Sequence, residues 1–370
     1  MSGGGSGHEP AHAGFVADGW LSAAVCGSVF ASPPTAHVSA AIAYLAQAQG
    51  AHGPGILIVV KNYAGDHLNF EYAARQARAQ GVRVETVLAA DDAVFGTKDT
   101  DKRRGIAGCC LLYKILGAAA SQGRGLDELT ALAARVCLNM RTVGAALSSC
   151  ALPGGPPSSS LPHGCVEIGL GIHGERGLAQ VPFAGAAALT RDLIDALLNG
   201  YGEHRAATTP LARGLRALLL VNNLGATTDM ELHLIASHAL RHLADAGIVV
   251  VGVSCGRYMT ALDMHGLSIT LLVVAEDADL DFMLRTDALQ KPLMNFDAPQ
   301  APLSLVPGPL TALQLAQQAA ADRAGAAAPS GELATTTRFV FERLAAMESV
   351  LNALDADVGD GDLGSGVRRA

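Results

Sequence analysis

GILIVVKNYAGDHLNFEYAARQARAQGVRVETVL, residues Gly55 to Leu88, decides the fold class. The apolar run Ile56 to Val60 reads as a buried strand, Leu68 to Gln80 as a helix, Gly81 as its stop and Val82 to Leu88 as a second strand. Two neighbouring strands joined through a helix run parallel, so the segment predicts a β-α-β unit and an α/β protein. Upstream lies GGGSGHEP, Gly3 to Pro10, where bare backbone sits beside Ser6, His8 and Glu9. It reads as a loop, because glycine turns through positive φ and lets a ligand approach the backbone. Such a loop normally follows a buried strand, yet only Met1 and Ser2 precede it, so the chain is expected to begin late.

Downstream, helices are predicted over Ile106 to Ala120 and Leu126 to Thr142, and PGGPPSSSLP, Pro153 to Pro162, breaks regular structure. A second set of apolar strands follows at Val166 to Ile172, Ala217 to Val221, Ile248 to Val253 and Ser268 to Val274, with a helix at Met230 to Ala246. The pattern predicts two α/β subdomains with mostly parallel sheets over residues 1–152 and 163–299, a mixed sheet being the alternative for the second. Residues 300–335 read as a Pro- and Ala-rich linker. In 336–370, Val340, Leu344, Met347, Leu351 and Leu354 line one face of a helix that leads into LDADVGDGDLGSG.

Composition narrows the function. Half of the residues are hydrophobic but only 4% aromatic, which points to cores of Ala, Leu, Val and Ile. A net charge of −8 with no long basic run argues against a nucleic-acid partner. The longest apolar runs are too short for a membrane span. Seven cysteines, an odd number without a CxxC pair, favour reduced thiols and a cytoplasmic location.

Three segments could carry chemistry. Four aspartates fall within eight residues of the C-terminal loop; Asp355, Asp360 and Asp362 suit a hard divalent cation, and a solvated acidic turn is the plainer alternative. In VEIGLGIHGE, His173 stands at a strand's carboxyl end, either as a base or nucleophile or as a ring donating to a carbonyl. In VVKNYAGDHLNF, Lys61, Asn62 and Asp66 follow a strand, where Asp66 could meet a substrate or cap the next helix. The His8/His12 and His238/His242 pairs have helical metal spacing without a third ligand, and read as core or surface histidines. Asp91 and Asp92 read as turn residues, and Thr228 with Glu231 as a capping box.

In order along the chain, GGGSGHEPAHAG, VKNYAGDHLNFE, RRGIAGCCLLYKILGAAA, GAALSSC, EIGLGIHGE, VNNLGATTDMEL, LDMHGLSITLL and LDADVGDGDLG resemble the dihydroxyacetone kinase family. The resemblance implies a ketone-binding half up to about Pro299 in which His173 bonds the ketone carbon as a hemiaminal. It implies His8 as general base with Asp66 beside it, and Gly5, Ser6, Gly7 and Lys61 among the substrate contacts. It further implies that 336–370 opens an otherwise missing all-α nucleotide-binding domain, with Asp355, Asp360 and Asp362 holding Mg2+ that clamps ATP. On that reading about one strand and helix unit is missing before Gly3. The function implied is an ATP-dependent kinase of dihydroxyacetone and glyceraldehyde, cytoplasmic and homodimeric. A non-catalytic dihydroxyacetone sensor and a kinase that also cyclises a flavin dinucleotide are the alternatives. Arg176 and Ala226 depart from the usual Pro and Gly without removing an expected catalytic group.

Overall fold

A computed structural model describes residues 1–50, 53–98 and 102–274. The β-α-β unit forms as the sequence predicts, with β3 over Ile56–Lys61, α2 over Ala64–Ala79 and β4 over Val84–Ala89. These two strands pair in parallel from Ile56 with Val84 to Lys61 with Ala89. The helix begins four residues earlier than its apolar periodicity suggests, because Tyr63 is still extended and Ala64 and Gly65 add no hydrophobic signal. Past its end, Gly81 takes a φ of +85°, a conformation that favours glycine.

The glycine run is a strand and not the loop its composition suggests: β1, Ser2–Ser6, lies parallel to β2, Ala24–Val29. Its other edge meets β3, where Val59 N–H donates to Met1 O at 2.9 Å and the Met1 nitrogen donates to Leu57 O at 2.7 Å. The order is therefore β2-β1-β3-β4. Glycine is required here by approach rather than by turning. A Cβ on Gly3 would lie 2.2 Å from Val25 O and 2.9 Å from Phe70 Cζ, and one on Gly5 would lie 2.6 Å from Ala31 N. The turn comes after the strand, at Gly7 with φ +98°. Helices α1, Thr35–Gln49, and α2 bury Val38, Ile42, Phe70 and Ala74 against one face of this sheet. Helices α3, Cys109–Ser121, and α4, Leu126–Leu138, cover the other.

The helix expected to run to Thr142 stops at Leu138, and β5, Met140–Ala146, follows as a wholly buried strand. It belongs to a six-stranded sheet of order β7-β6-β5-β10-β8-β9. The other members are β6, Cys165–Ile168; β7, Ala179–Pro182; β8, Arg216–Asn223; β9, Val249–Gly256; and β10, Gly266–Val274. The α/β class with two lobes holds, but mostly parallel pairing holds for the first lobe alone. In the second, β8 and β9 are parallel and every other neighbouring pair is antiparallel. The strands gave no warning, because the central ones are buried on both faces. Leu218, Leu220 and Leu272 face the core shared with α3 and α4, while Leu219, Val221 and Ile269 face α5, Ala186–Asn199, and α6, Asp229–Asp245. A run apolar at every position reads the same in either direction.

The lobes are joined by main chain and by two buried charged side chains. Thr142 N–H donates to Asp91 O and Ala93 N–H to Thr142 O, so β5 starts against the end of the first lobe. The Asp91 carboxylate accepts from Ile106 N and Gly108 N, both at 2.8 Å, and from Thr142 Oγ1 at 2.6 Å. Arg103 donates to the carbonyls of Asp91, Asp92 and Met140. Neither aspartate is a simple turn residue. The close approach at β1 can be tested by Gly3→Ala, which must push the backbones of β1 and β2 apart. It should destabilise the protein by about 1–3 kcal/mol in urea unfolding, and an unchanged midpoint would show that β1 is not so confined.

Candidate active site

The chain leaves β6 at Ile168 and carries His173 in a loop, five residues beyond the strand that was expected to deliver it. The loop is shaped by one carboxylate. Glu175 Oε2 accepts from His173 N–H at 2.8 Å, and Glu175 Oε1 lies 3.0 Å from His173 Nδ1. Nδ1 thereby carries a proton and donates to a carboxylate, not to a carbonyl, so that in the neutral ring the lone pair is on Nε2. Gly174, at φ +81°, makes the reversal that brings the carboxylate back under the ring. A Cβ on Gly171 would lie 1.9 Å from Glu175 Oε2 and 2.6 Å from an Arg104 guanidinium nitrogen, so the bare backbone there lets both charges close in. Arg104 is itself held by Asp92 Oδ2 at 2.7 Å and Gly169 O at 2.6 Å. Burial pushes the Glu175 carboxyl up, but its pairing and hydrogen bond with the His173 ring and the nearby Arg104 guanidinium outweigh that and hold it at about 2.

Around His173 stand the rings of Tyr63 at 4.7 Å, His8 at 4.8 Å and Phe30 at 5.3 Å between centroids. The structure thus brings His8 to His173, and Gly7, just before His8, lies against the Phe30 ring of the same cluster. His8 Nδ1 donates to Thr260 O at 2.7 Å, and its ring stacks on Phe30 at 5.0 Å. Its Nε2 is buried and has no hydrogen-bond partner among the described residues. Burial, then the nearby His173 and Lys61, push the His8 imidazole well below its ordinary range, so it is a neutral ring with an available lone pair. Among the described residues, Phe30 at φ +56° and Leu262 at φ +55° are the non-glycine residues in the left-handed region. Both grip this turn, Phe30 N–H donating to Ser6 O and Leu262 N–H to Gly7 O, each at 2.9 Å. Backbone strain is concentrated where His8 is aimed.

Lys61 leaves β3 fully buried and pairs with Asp66 Oδ2 at 3.1 Å; Ser32 Oγ donates to Asp66 Oδ1 at 2.6 Å. Asp66 lies in the first turn of α2, yet no side chain caps that helix, so the capping alternative is set aside. Lys61 also lies 5.0 Å from the centre of the Tyr63 ring, which links this ion pair to His173. Of the expected substrate contacts, Gly5 is within β1, Ser6 Oγ donates to Gly27 O at 2.7 Å, and Gly7 N–H donates to the Glu9 carboxylate at 3.0 Å. His12, read as a core or surface histidine, is a buried ring bonded to Tyr113 OH at 2.8 Å. Asp355, Asp360 and Asp362 lie outside the described residues, among which no group of three or more His, Cys, Asp or Glu could hold a metal. The sequence reading missed Tyr63, Phe30, Arg104 and Glu175 as site residues.

Two imidazoles thus face each other beside a buried Lys–Asp pair in a two-lobed α/β protein. The chain belongs to the dihydroxyacetone kinase family: the Dak1 domain model matches residues 1–290. It is 38% identical over 372 residues to the triokinase/FMN cyclase of Homo sapiens, all of this chain and 63% of that protein. It is 42% identical over 285 residues to a dihydroxyacetone-binding subunit DhaK of a PTS-dependent dihydroxyacetone kinase from Listeria innocua, 76% of this chain and 83% of that one. The dihydroxyacetone kinase of C. freundii, solved in complex with AMP-PNP and Mg2+, matches 99% of this chain and 63% of its own with a TM-score of 0.66 at 34% identity. The chain spans about three fifths of the length of its triokinase relatives. Among the described residues no helix is long and apolar enough to cross a membrane.

The depressed Glu175 carboxyl has a consequence for stability. Its folded value of about 2 lies below its ordinary 4.5, so its contribution is fully present above about pH 4.5 and is lost as pH falls towards about 2. Urea unfolding of Glu175→Gln should show a flatter pH dependence in that window than the parent; identical profiles would mean that the contact is not formed in solution.

Proposed function

We propose that this chain is the ketone-binding portion of a kinase that moves a phosphoryl group from ATP to dihydroxyacetone, with the ketone held covalently on His173. The observation that carries the reading is the pair of imidazoles 4.8 Å apart, each with Nδ1 committed to a protein acceptor so that Nε2 keeps its lone pair. One nitrogen can bond carbon while the other takes a proton. His173 Nε2 adds to the carbonyl carbon, and the C=O π electrons pass to oxygen, which gains a proton as the imidazole gives up the one shared between Nδ1 and Glu175. The nitrogen bonded to carbon retains no proton, so water cannot leave to give an imine and the adduct stops as a hemiaminal. Pinning the ketone removes its freedom to turn, which favours transfer at a fixed hydroxyl.

His8 Nε2 is the base for that hydroxyl; neutrality suits it to take the proton. Asp66, Lys61 and the backbone of Gly5, Ser6 and Gly7 shape the wall against which the remaining hydroxyls lie. ATP supplies the transferred group, and Mg2+ on Asp355, Asp360 and Asp362 would spread the charge developing on it. Glyceraldehyde as a second acceptor, a cytoplasmic location and a homodimer complete the reading. Intact-protein mass spectrometry with dihydroxyacetone should show an adduct carrying the whole ligand mass, absent in His173→Ala. An adduct that persists in that variant would remove the covalent role, and one short of a water would mean imine chemistry on a lysine.

A further inference from the structure

His12 has no role in the chemistry above, yet it is a buried ring with a bare nitrogen at the back of the site. A chain of hydrogen bonds sets its tautomer. Ser2 Oγ has one proton and lies 2.7 Å from Val59 O, which can only accept. The 3.0 Å contact of Ser2 Oγ with Tyr113 OH is then made by the tyrosine proton, and the 2.8 Å contact of Tyr113 OH with His12 by the Nδ1 proton. Nε2 is left with a lone pair and, among the described residues, no hydrogen-bond partner. Burial, then the nearby Lys61, push the His12 imidazole well below its ordinary range.

A cation borders the same space. The point where a Gly4 Cβ would stand is 2.7 Å from Lys61 Nζ and 2.8 Å from His12 Nε2, so the missing side chain leaves a volume that both nitrogens border. Lys61 now pairs with Asp66, whose other oxygen is taken by Ser32. If Asp66, which on the proposed kinase reading lines the wall beside the substrate hydroxyls, turns to accept a hydrogen bond from one of them, the counter-charge of Lys61 is weakened in a site where the lysine is 1% exposed. A buried charge left so is costly.

Resting on that reading, we propose that His12 is a positioning residue that gives Lys61 a second seat. The ammonium pairs with Asp66 in the ligand-free protein and turns to His12 Nε2 when Asp66 engages the substrate. Gly4 is the clearance through which the ammonium passes.

The test compares adduct formation with dihydroxyacetone, read by intact-protein mass spectrometry, in the full chain and in His12→Gln, His12→Phe and Gly4→Ala. Glutamine keeps an acceptor near the Nε2 position and phenylalanine keeps the ring without one. The half-saturating ketone concentration should rise on the order of tenfold in His12→Phe and Gly4→Ala, the loss of one charge-assisted hydrogen bond, and stay near the parent value in His12→Gln. Equal values for Phe and Gln would overturn the second seat, whether both are normal or both impaired. A crystal structure of the parent with dihydroxyacetone decides independently of any variant's folding: Lys61 Nζ within hydrogen-bond reach of His12 Nε2 supports the proposal, and Lys61 still on Asp66 sinks it. No adduct in the parent would overturn the kinase reading and this one together, whereas a normal adduct in His12→Phe overturns this one alone.

Discussion

The site depends on a strand that has almost no side chains. β1 is threaded between β2 and β3 so closely that a methyl group on Gly3 or Gly5 would overlap neighbouring backbone. Three consequences follow from that one constraint. Phe70 reaches across from α2 to seal the sheet, Lys61 and His12 share the volume beside Gly4, and the chain leaves the strand at a fixed height with His8 aimed at His173. Glycine in a strand interior is a loss in conformational entropy and packing. Here the loss is offset because bare backbone admits a cation and two imidazoles to places that other residues would fill.

Charge in the site is organised by burial. Lys61 with Asp66, and Arg104 with Asp92, are ion pairs with little or no contact with water, and each charge has more than one partner. Removing a single partner would leave a buried charge less compensated, which makes such arrangements conformationally demanding more than stabilising. His8 and His12 sit among these charges in neutral form, pushed there by desolvation first and by the cations second. His173 has a different partner, the Glu175 carboxylate at its Nδ1. Two histidines thus face each other, each with Nδ1 held by an acceptor, a carboxylate for His173 and a carbonyl for His8.

The β-α-β unit was legible because its apolar strands, its helix stop and its crossover length all agree. The glycine strand was not, since a run without side chains has no periodicity and glycine suggests turning before it suggests close approach. Helix and strand could not be told apart across Leu138 to Ala146, where apolar and small residues suit either, and strand direction in the second sheet is invisible once both faces are buried. In the candidate site, His8 and His173, singled out from their motifs, come together, and Asp66 joins them through Lys61 and Tyr63. Glu175 stood in plain view two residues from His173, but nothing in the spacing tells that Gly174 turns its carboxylate back beneath the ring. Arg104 and Phe30 come from distant segments and meet the site through tertiary packing alone.

The junction between the lobes has a bearing on what the cleft can accept. Arg103 ties three carbonyls from both sides of the boundary, and Asp91 ties the start of α3 to β5, all out of reach of water. A hinge motion at this place would expose or break several of those bonds at once, a penalty that a small solute has too few contacts to repay. The spacing of His8 and His173, which stand on opposite sides of that junction, is therefore tied to main chain. On the proposed reading, adjustment to a bound ketone falls to side-chain rotation.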